Sequence, residues 1–377
     1  RVAEHGYGAF ARCVLRPFRA AVQGSFCAAA LVAAASTIAV TNCTFAYNYV
    51  TSGGAVVAAK DFAPLAVGNR IVDPSPVAMD VETRFDCASV TKTVVAMTCA
   101  RLAAQGKIDV DRPFTDYLTD HVLAKENCRI TVRDLATHSG GFDNAKPYMV
   151  PDPKKMMAAL YAKRPVRSRG EKFHYACSNF AYLGLIVEKL TGLDLDAAAW
   201  KMLWGPLGMA HTTWNEIVGN SDAVEFAPST YEGPKRKIGE HNDVCCLYAK
   251  RPMGNGSNFS CAPDMLKFVT DLLERKRFPK AYYDLLFTPC FERDGVRRSF
   301  GWDMRGTSPH TSAWGESKFS DAAISHVGWT GPAIMVDPKR GFAGVVLGSQ
   351  EGGKDKTMGP RMRLLEIMAA TDFSFGL

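Results

Sequence analysis

Apolar and β-branched runs lie towards both ends of the chain and predict strands. Residues 54–59 (GAVVAA) and 64–68 (PLAVG) form two such runs. Towards the other end, residues 333–336 (AIMV) and 343–347 (AGVVL) flank residues 337–341 (DPKRG), in which Asp-Pro and Gly are turn signals. The pattern predicts two early strands and a late β-hairpin.

Helical spacing dominates the region between these strands. Residues 90–105 place Val95, Cys99 and Leu102 on one face of a helix, and Gly106 marks its end. A Thr-x-x-Asp capping pattern opens the next helical segment. The further helices are expected at residues 131–138, 179–190, 194–203, 261–275 and 359–369.

Strands at both ends with helices between them indicate one sheet assembled from distant segments and an inserted helical lobe. The expected fold class is therefore α/β (α+β). A chain of 377 residues can form one large domain or two ordinary ones. We expect one catalytic domain overall, in which residues 51–88 and 265–377 form the sheet lobe and residues 89–264 form a mostly helical lobe.

Residues 1–50 are interpreted as an N-terminal extension or as a signal- or anchor-like segment. Arg12, Arg16 and Arg19 precede residues 26–40, a run of fifteen residues without a charge. A membrane span needs about 20 apolar residues, whereas this length suits the core of a signal peptide. An Ala-rich buried helix is the alternative. We favour export, and hence a periplasmic or secreted location over a cytoplasmic one.

Composition and charge argue against a nucleic-acid-binding protein. Hydrophobic residues make up 47% of the chain and charged residues 22%, as in ordinary globular proteins. The net charge is +7, but clusters of basic residues such as 235–237 (KRK) and 275–277 (RKR) are short. Short clusters are typical of a solvated face. We therefore infer no nucleic-acid partner and no obligatory protein partner.

The cysteines give no sign of a metal centre. There are eleven of them, and the chain has no Cys-x-x-Cys pair, no zinc-ligand spacing and no His-Glu-x-x-His. Several, such as Cys99 in a helical pattern, are interpreted as small buried hydrophobic residues. We expect no metal, no cofactor and no dense disulfide framework. One or two disulfide bonds are the alternative to a fully reduced set of cysteines.

Residues 89–92 (SVTK) carry the most informative chemistry. They lie where an extended segment gives way to a helix, so Ser89 and Lys92 fall on one helical face. A serine hydroxyl needs an adjacent base to act as a nucleophile at neutral pH, and Lys92 supplies an amine within one turn. Backbone N–H groups at the helix start favour the negative charge that develops in acyl transfer. Ser89 is therefore a candidate nucleophile.

Five segments serve as landmarks and follow one another along the chain, at residues 85–92 (FDCASVTK), 106–110 (GKIDV), 130–141 (ITVRDLATHSGG), 204–209 (WGPLGM) and 254–264 (GNGSNFSCAPD). With these landmarks in this order, the chain from about residue 54 onward resembles the serine β-lactamase-related family, which includes class C β-lactamases, D-aminopeptidases, low-molecular-weight penicillin-binding proteins and family VIII carboxylesterases. The resemblance implies a β-lactamase/transpeptidase-like fold, with a central antiparallel sheet flanked by helices, and acyl-enzyme chemistry.

The second catalytic element of this family is Tyr-x-Asn, and residues 173–179 (FHYACSN) offer two registers for it. In the first register Tyr175 is the tyrosine and Cys177 stands where Asn is usual. In the second register Cys177 replaces the tyrosine and Asn179 is kept. The family's spacing to Gly192 favours the first register, as does the need for a phenol.

The resemblance implies a role for each of these positions. Tyr175 would relay the proton of Ser89 to the leaving group. An ordinary tyrosine has a pKa of about 10, so a nearby cation must lower it, and Lys92 is the candidate. Cys177 would lie in the substrate-binding site.

The third element of the family is Lys-Thr-Gly, or a His-x-Gly variant, on the sheet edge, and residues 325–331 (SHVGWTG) fit the variant. By resemblance, His326 lines the site and Gly328 lets the substrate approach closely. The backbone N–H groups of Ser89 and Trp329 would form the oxyanion hole.

Other patterns are set aside. Residues 356–359 (KTMG) are not Lys-Thr-Gly, and residues 221–223 (SDA) are not Ser-Asp-Asn. The absence of Gly-x-Ser-x-Gly argues against an α/β-hydrolase. His138, His241 and His310 are interpreted as loop or packing residues.

The leading hypothesis is a serine hydrolase that forms an acyl-enzyme on Ser89, most nearly a carboxylesterase of the β-lactamase-related type, acting on a small-molecule ester or amide. Esters are favoured because His326 stands where the family's lysine would supply a permanent cation, and Cys177 stands where its asparagine would supply an amide. One alternative is an amide hydrolase, which could be a D-aminopeptidase, a DD-peptidase or a β-lactamase. The other is a non-catalytic binding protein on the same scaffold.

Overall fold

The structure is a computed structural model. It describes residues 30–34, 37–41, 54–71, 75–215, 226–227, 231–232, 235–236, 238–306, 319–348, 361, 365–366 and 368–369. The strands among them are β1 Ala30–Ala34, β2 Thr37–Thr41, β3 Gly54–Ala59, β4 Phe62–Ile71, β5 Val77–Ala78, β6 Phe85–Asp86, β7 Tyr231–Glu232, β8 Lys235–Arg236, β9 Phe259–Ser260, β10 Phe291–Arg293, β11 Val296–Ser299, β12 Trp302–Met304, β13 Ile324–Val327, β14 Ala333–Asp337 and β15 Phe342–Gly348. The α-helices are α1 Thr91–Ala104, α2 Val132–Ala136, α3 Pro153–Tyr161, α4 Cys177–Thr191, α5 Leu195–Ala199, α6 Gly205–Leu207, α7 Val244–Ala249, α8 Ala262–Glu274 and α9 Lys280–Phe287.

A nine-stranded antiparallel sheet organises the fold. Its strand order is β10-β11-β12-β13-β14-β15-β3-β4-β5. The two halves meet where β15 pairs with β3, with Val346 opposite Val57. Both strands consist of apolar residues and glycine, most of them small or β-branched, which suits a strand covered on both faces. The expected fold class, with a central antiparallel sheet flanked by helices, is confirmed.

The helix that follows the candidate nucleophile lies at the centre of the molecule. Nearly all of α1 is buried, and it packs against α4 and α9, while α8 covers β14 and β15. Gly106 takes a positive φ of 69° just after the helix, as its stop signal predicted. A helix buried on all sides provides a rigid support for the residues at its start.

Several predicted elements are confirmed, and one is modified. Thr131 and Asp134 form the capping box at the start of α2, and the hairpin of β14 and β15 forms as expected. The single helix expected at residues 194–203 is instead α5, followed by one π-helical turn at Trp200–Trp204 and then α6. Pro206 lacks the N–H that a continuous α-helix would need.

The N-terminal run does not form the buried helix that was the alternative to a signal peptide. Residues 30–41 instead contain β1 and β2, which pair as an antiparallel hairpin. Thr37, Ile38 and Val40 are β-branched, and such residues fit a strand better than a helix. No helix in the described part of the chain is long and apolar enough to cross a membrane.

Some predictions concern residues that the structure does not describe. His310 and residues 221–223 and 356–359 lie outside the described residues, as does most of residues 1–50. Of the helix expected at residues 359–369, the described residues are helical. The division into two lobes stays a prediction.

Candidate active site

A short strand and a tight turn present Ser89. The strand β6 pairs with β9, and a 3₁₀ turn at Ala88–Val90 leads directly into α1. Ala88 adopts a positive φ of 42°, a backbone conformation that costs a residue with a Cβ about 1–3 kcal/mol. The surrounding contacts must therefore hold the turn in place.

Asp86 supplies these contacts. Its Oδ1 accepts a hydrogen bond from the Ala88 N–H at 2.7 Å. Its Oδ2 accepts from the Asn242 N–H at 2.8 Å and from the Ser257 hydroxyl at 2.9 Å. Burial raises the pKa of Asp86, and these hydrogen bonds oppose that shift. Asp86 therefore ties the turn that carries Ser89 to the loop before β9, a role that the sequence did not indicate.

Three of the predicted residues meet at one oxygen atom. Lys92 Nζ donates to Ser89 Oγ at 3.0 Å, and the Tyr175 hydroxyl donates to the same oxygen at 2.7 Å. Lys92 is fully buried and also donates to the carbonyl oxygen of Asn255 at 2.5 Å. Its Nζ lies 5.0 Å from the centre of the Tyr175 ring. The serine hydroxyl thus contacts both groups that could accept its proton.

The protonation of this cluster differs from the expectation in one respect. Burial raises the pKa of Tyr175, and Lys92 opposes that shift without outweighing it. The expectation that Lys92 would bring the tyrosine pKa below its usual value is therefore wrong. Burial by itself lowers the pKa of Lys92, but Cys177 and Tyr175 outweigh burial and the net shift is upward. At neutral pH the resting site holds a neutral phenol and an ammonium ion.

This arrangement predicts how activity depends on pH. The pair of Lys92 and Tyr175 can act as a base only after it has lost a proton. Since the pKa values of both groups are raised, that loss occurs on the alkaline side of neutrality. We expect kcat/KM for an ester to rise about tenfold per pH unit between about pH 6 and pH 8. The measurement is kcat/KM against pH at constant ionic strength. A plateau that begins near pH 6.5 would contradict the assignment.

The structure selects the first register of the Tyr-x-Asn-like element. Tyr175 reaches Ser89, whereas the amide of Asn179 turns away and donates to His138 Nδ1 at 3.0 Å. Cys177 begins α4, and its N–H donates to Asn144 Oδ1 at 3.0 Å. The Cys177 thiol lies close enough to Lys92 to affect its pKa. Position 177 therefore lies beside the cluster, and its role in substrate binding stays a prediction.

His138 supports Tyr175 from behind, a contact that the sequence did not reveal. The two rings pack with their centres 4.6 Å apart. His138 Nδ1 also accepts the Ala176 N–H at 3.2 Å, just before α4. Burial, followed by the nearby Arg298, lowers the pKa of His138 well below its usual value. His138 is thus a neutral packing residue, as expected, and the residue that it packs against is Tyr175 of the site.

His326 lies near the cluster but makes no hydrogen bond to Ser89, Lys92 or Tyr175. It is buried, and its Nδ1 donates to the Val327 carbonyl at 3.0 Å. Burial lowers the pKa of His326 to about 4, so the imidazole is neutral at neutral pH. This position therefore provides no cation.

The strand that carries His326 is only partly an edge. The prediction placed this element on the sheet edge, but β13 lies between β12 and β14. β12 pairs with Ile324 and Ser325, and no strand in the described part of the chain pairs with that side of β13 from His326 onward. The edge prediction is therefore wrong for the first half of the strand and right for the second.

The turn after β13 packs against the segment before Ser89. A Cβ on Gly328 would lie 2.6 Å from the Cys87 carbonyl, so only glycine fits there. The Thr330 hydroxyl donates to the Asp86 carbonyl at 2.6 Å. The predicted oxyanion-hole groups, the N–H groups of Ser89 and Trp329, thus belong to two adjoining segments, and that role stays a prediction. The Trp329 residue is 49% exposed.

The described residues contain no group of three or more His, Cys, Asp or Glu side chains that could hold a metal ion. The eight cysteines among them are free thiols. The arrangement around Ser89 is suited to proton transfer and covalent catalysis.

Comparison with known proteins identifies a matching family and similar structures. A sequence model of the family described as Beta-lactamase matches residues 46–367. A putative D-alanyl-D-alanine carboxypeptidase of Escherichia coli is 26% identical over 315 residues, which cover 73% of this chain and 71% of the relative. Among solved structures, the hydrolase EstCE1, described as having promiscuous acyltransferase activity, superposes with a TM-score of 0.67 at 18% identity, covering 84% of this chain and 93% of the other. A class C β-lactamase superposes with a TM-score of 0.68 at 18% identity, covering 85% and 90%.

Proposed function

The chain belongs to the Beta-lactamase family, whose members include serine hydrolases that act on ester or amide bonds, and from this we propose that it is a carboxylesterase working through an acyl-enzyme on Ser89. The observation that carries the proposal is the pair of hydrogen bonds that Ser89 Oγ receives from Lys92 and Tyr175. A serine so placed can lose its proton as it attacks a carbonyl carbon.

Each step uses groups already in contact. When the pair of Lys92 and Tyr175 has lost a proton, it accepts the hydroxyl proton of Ser89 as Oγ bonds to the ester carbon. The backbone N–H groups of Ser89 and Trp329 would bind the resulting oxyanion. The pair then returns the proton to the leaving alkoxide as the C–O bond breaks. Water attacks the acyl-enzyme by the same route and releases the acid.

Two departures from the family pattern support esters over β-lactams. The neutral His326 provides no permanent positive charge for a carboxylate on the leaving-group side. Cys177 has no amide to hold an acylamino side chain, although it lies beside Lys92. Both losses weaken recognition of a β-lactam or peptide more than recognition of a simple ester.

The second candidate is an amide hydrolase. It is favoured by the curated relative whose name refers to a D-alanyl-D-alanine carboxypeptidase. An N-acetylmuramyl-L-alanine amidase of Bacillus subtilis, 27% identical over 297 residues, points the same way. Either name would make an amide bond to alanine the bond that is hydrolysed.

A three-substrate comparison tests the proposal. We expect kcat/KM for para-nitrophenyl butyrate to exceed that for nitrocefin and for D-alanine para-nitroanilide by at least about 100-fold. Intact-mass measurement after mixing should show an acyl adduct on the protein. Faster turnover of the anilide would favour the amide hydrolase. Folded protein that forms no adduct with any ester or lactam would instead favour a non-catalytic binding protein.

A further inference from the structure

The start of α4 has no capping side chain of its own. The residue before the helix is Ala176, which carries no polar side-chain atom, and the first N–H groups of a helix have no partner within it. Side chains from the loop of residues 138–145 take that place. His138 Nδ1 accepts the Ala176 N–H at 3.2 Å, and Asn144 Oδ1 accepts the Cys177 N–H at 3.0 Å. Since Tyr175 directly precedes these residues, the loop fixes the backbone from which the phenol extends.

A buried ammonium holds this loop on both sides of Asn144. Lys163 lies just after α3, and its Nζ donates to Asp143 Oδ1 at 2.8 Å and to the Ala145 carbonyl at 2.6 Å. Lys163 is only 6% exposed, so water screens its ion pair with Asp143 less than it would at the surface. The main chain is therefore anchored immediately before and immediately after the asparagine.

The contact between Tyr175 and the nucleophile tolerates little movement. The phenol hydroxyl donates to Ser89 Oγ at 2.7 Å, and hydrogen bonds between two oxygens span about 2.5–3.0 Å. The ring that packs against the phenol, with centres 4.6 Å apart, is that of His138 in the same loop. Backbone and ring of Tyr175 thus both depend on residues 138–145. A shift of about 1 Å at the start of α4 is enough to disturb proton transfer.

We propose that Asn144 is a positioning residue for Tyr175. By capping α4 from the anchored loop, it sets the distance between the phenol and Ser89 Oγ. Its loss leaves the Cys177 N–H without this acceptor and lets the start of the helix move. The effect on catalysis passes through the phenol and falls mainly on kcat. This inference rests on the proposed esterase function.

Two substitutions at Asn144 separate the loss of the acceptor from a change of side-chain size. Asn144→Leu removes the acceptor and keeps a similar volume. We expect it to lower kcat for para-nitrophenyl butyrate about tenfold and to change KM less than about threefold. Asn144→Asp keeps an oxygen that can accept the Cys177 N–H, and a carboxylate suits the start of a helix. It should keep kcat, measured at the plateau of its own pH profile, within about threefold of the wild-type value.

A double-mutant cycle with Tyr175→Phe shows whether the effect passes through the phenol. When the hydroxyl is already absent, its position no longer affects the rate. Adding Asn144→Leu to Tyr175→Phe should therefore lower kcat less than about twofold. A purely structural role would cost the same factor with and without the hydroxyl.

Asn215→Leu is the matched control, since Asn215 is exposed and its N–H donates to the Thr213 hydroxyl rather than to a residue of the loop. It should leave kcat unchanged. Circular dichroism and the melting temperature establish that each variant is folded.

Three outcomes would overturn the inference. Folded Asn144→Leu could keep the wild-type kcat, it could lose an equal factor in the Tyr175→Phe background, or Asn144→Asp could lose as much as Asn144→Leu. If the wild-type protein hydrolyses no ester, the proposed function fails first. Ester turnover with equal losses in both backgrounds removes the role of Asn144 alone.

Discussion

Replacing Ser89 with alanine is expected to lower kcat for ester hydrolysis by at least about 10⁴-fold. The substitution removes the atom on which Lys92 and Tyr175 converge and leaves no hydroxyl to form the acyl-enzyme. Binding is expected to persist, because the backbone groups and the walls of the site are unchanged. Covalent labelling by a fluorophosphonate probe should disappear completely.

Ser168→Ala serves as the matched control for labelling, since Ser168 is exposed and its N–H donates to Glu171 rather than to a residue of the cluster. It should retain both the label and the turnover. Circular dichroism and the melting temperature establish that Ser89→Ala is folded. Ester turnover at the wild-type rate by folded Ser89→Ala would remove the nucleophile assignment.

Removing the Tyr175 hydroxyl is expected to have the second largest effect, a loss of about 10²–10⁴-fold in kcat. Tyr175→Phe keeps the ring that packs on His138 and lies under the Lys92 ammonium. It removes only the group that donates to Ser89 Oγ at 2.7 Å. The variant should therefore fold normally, and steady-state kinetics should show the loss in kcat rather than in KM.

Tyr182→Phe is the control for this variant. Tyr182 is also buried, and its hydroxyl donates to the Leu160 carbonyl at 2.7 Å, away from Ser89. Its loss should cost about 1 kcal/mol of stability and leave kcat intact. If Tyr175→Phe behaves in the same way, with an unaltered pH profile, then Lys92 alone acts as the base.

Elements with strong local signals were predictable from the sequence. The helix α1 and the capping box of Thr131 and Asp134 follow from spacing and from contacts within a few residues. The helices α3 and α9 and the strands β10 to β12 were not anticipated. Their residue patterns are short or irregular, and contacts with distant segments decide their conformation.

The chain by itself determined that Ser89, the candidate nucleophile, lies beside the amine of Lys92, because side chains three residues apart on a helix share one face. Likeness to a family located Tyr175, His326 and the glycine turn. The assembled fold alone decided that Asp86 holds the nucleophile's turn and that His138 packs behind Tyr175. It also decided that His326 is neutral and that the Tyr175 pKa is raised. Those properties depend on burial and on contacts between segments remote in sequence, and the spacing of residues along the chain does not show either.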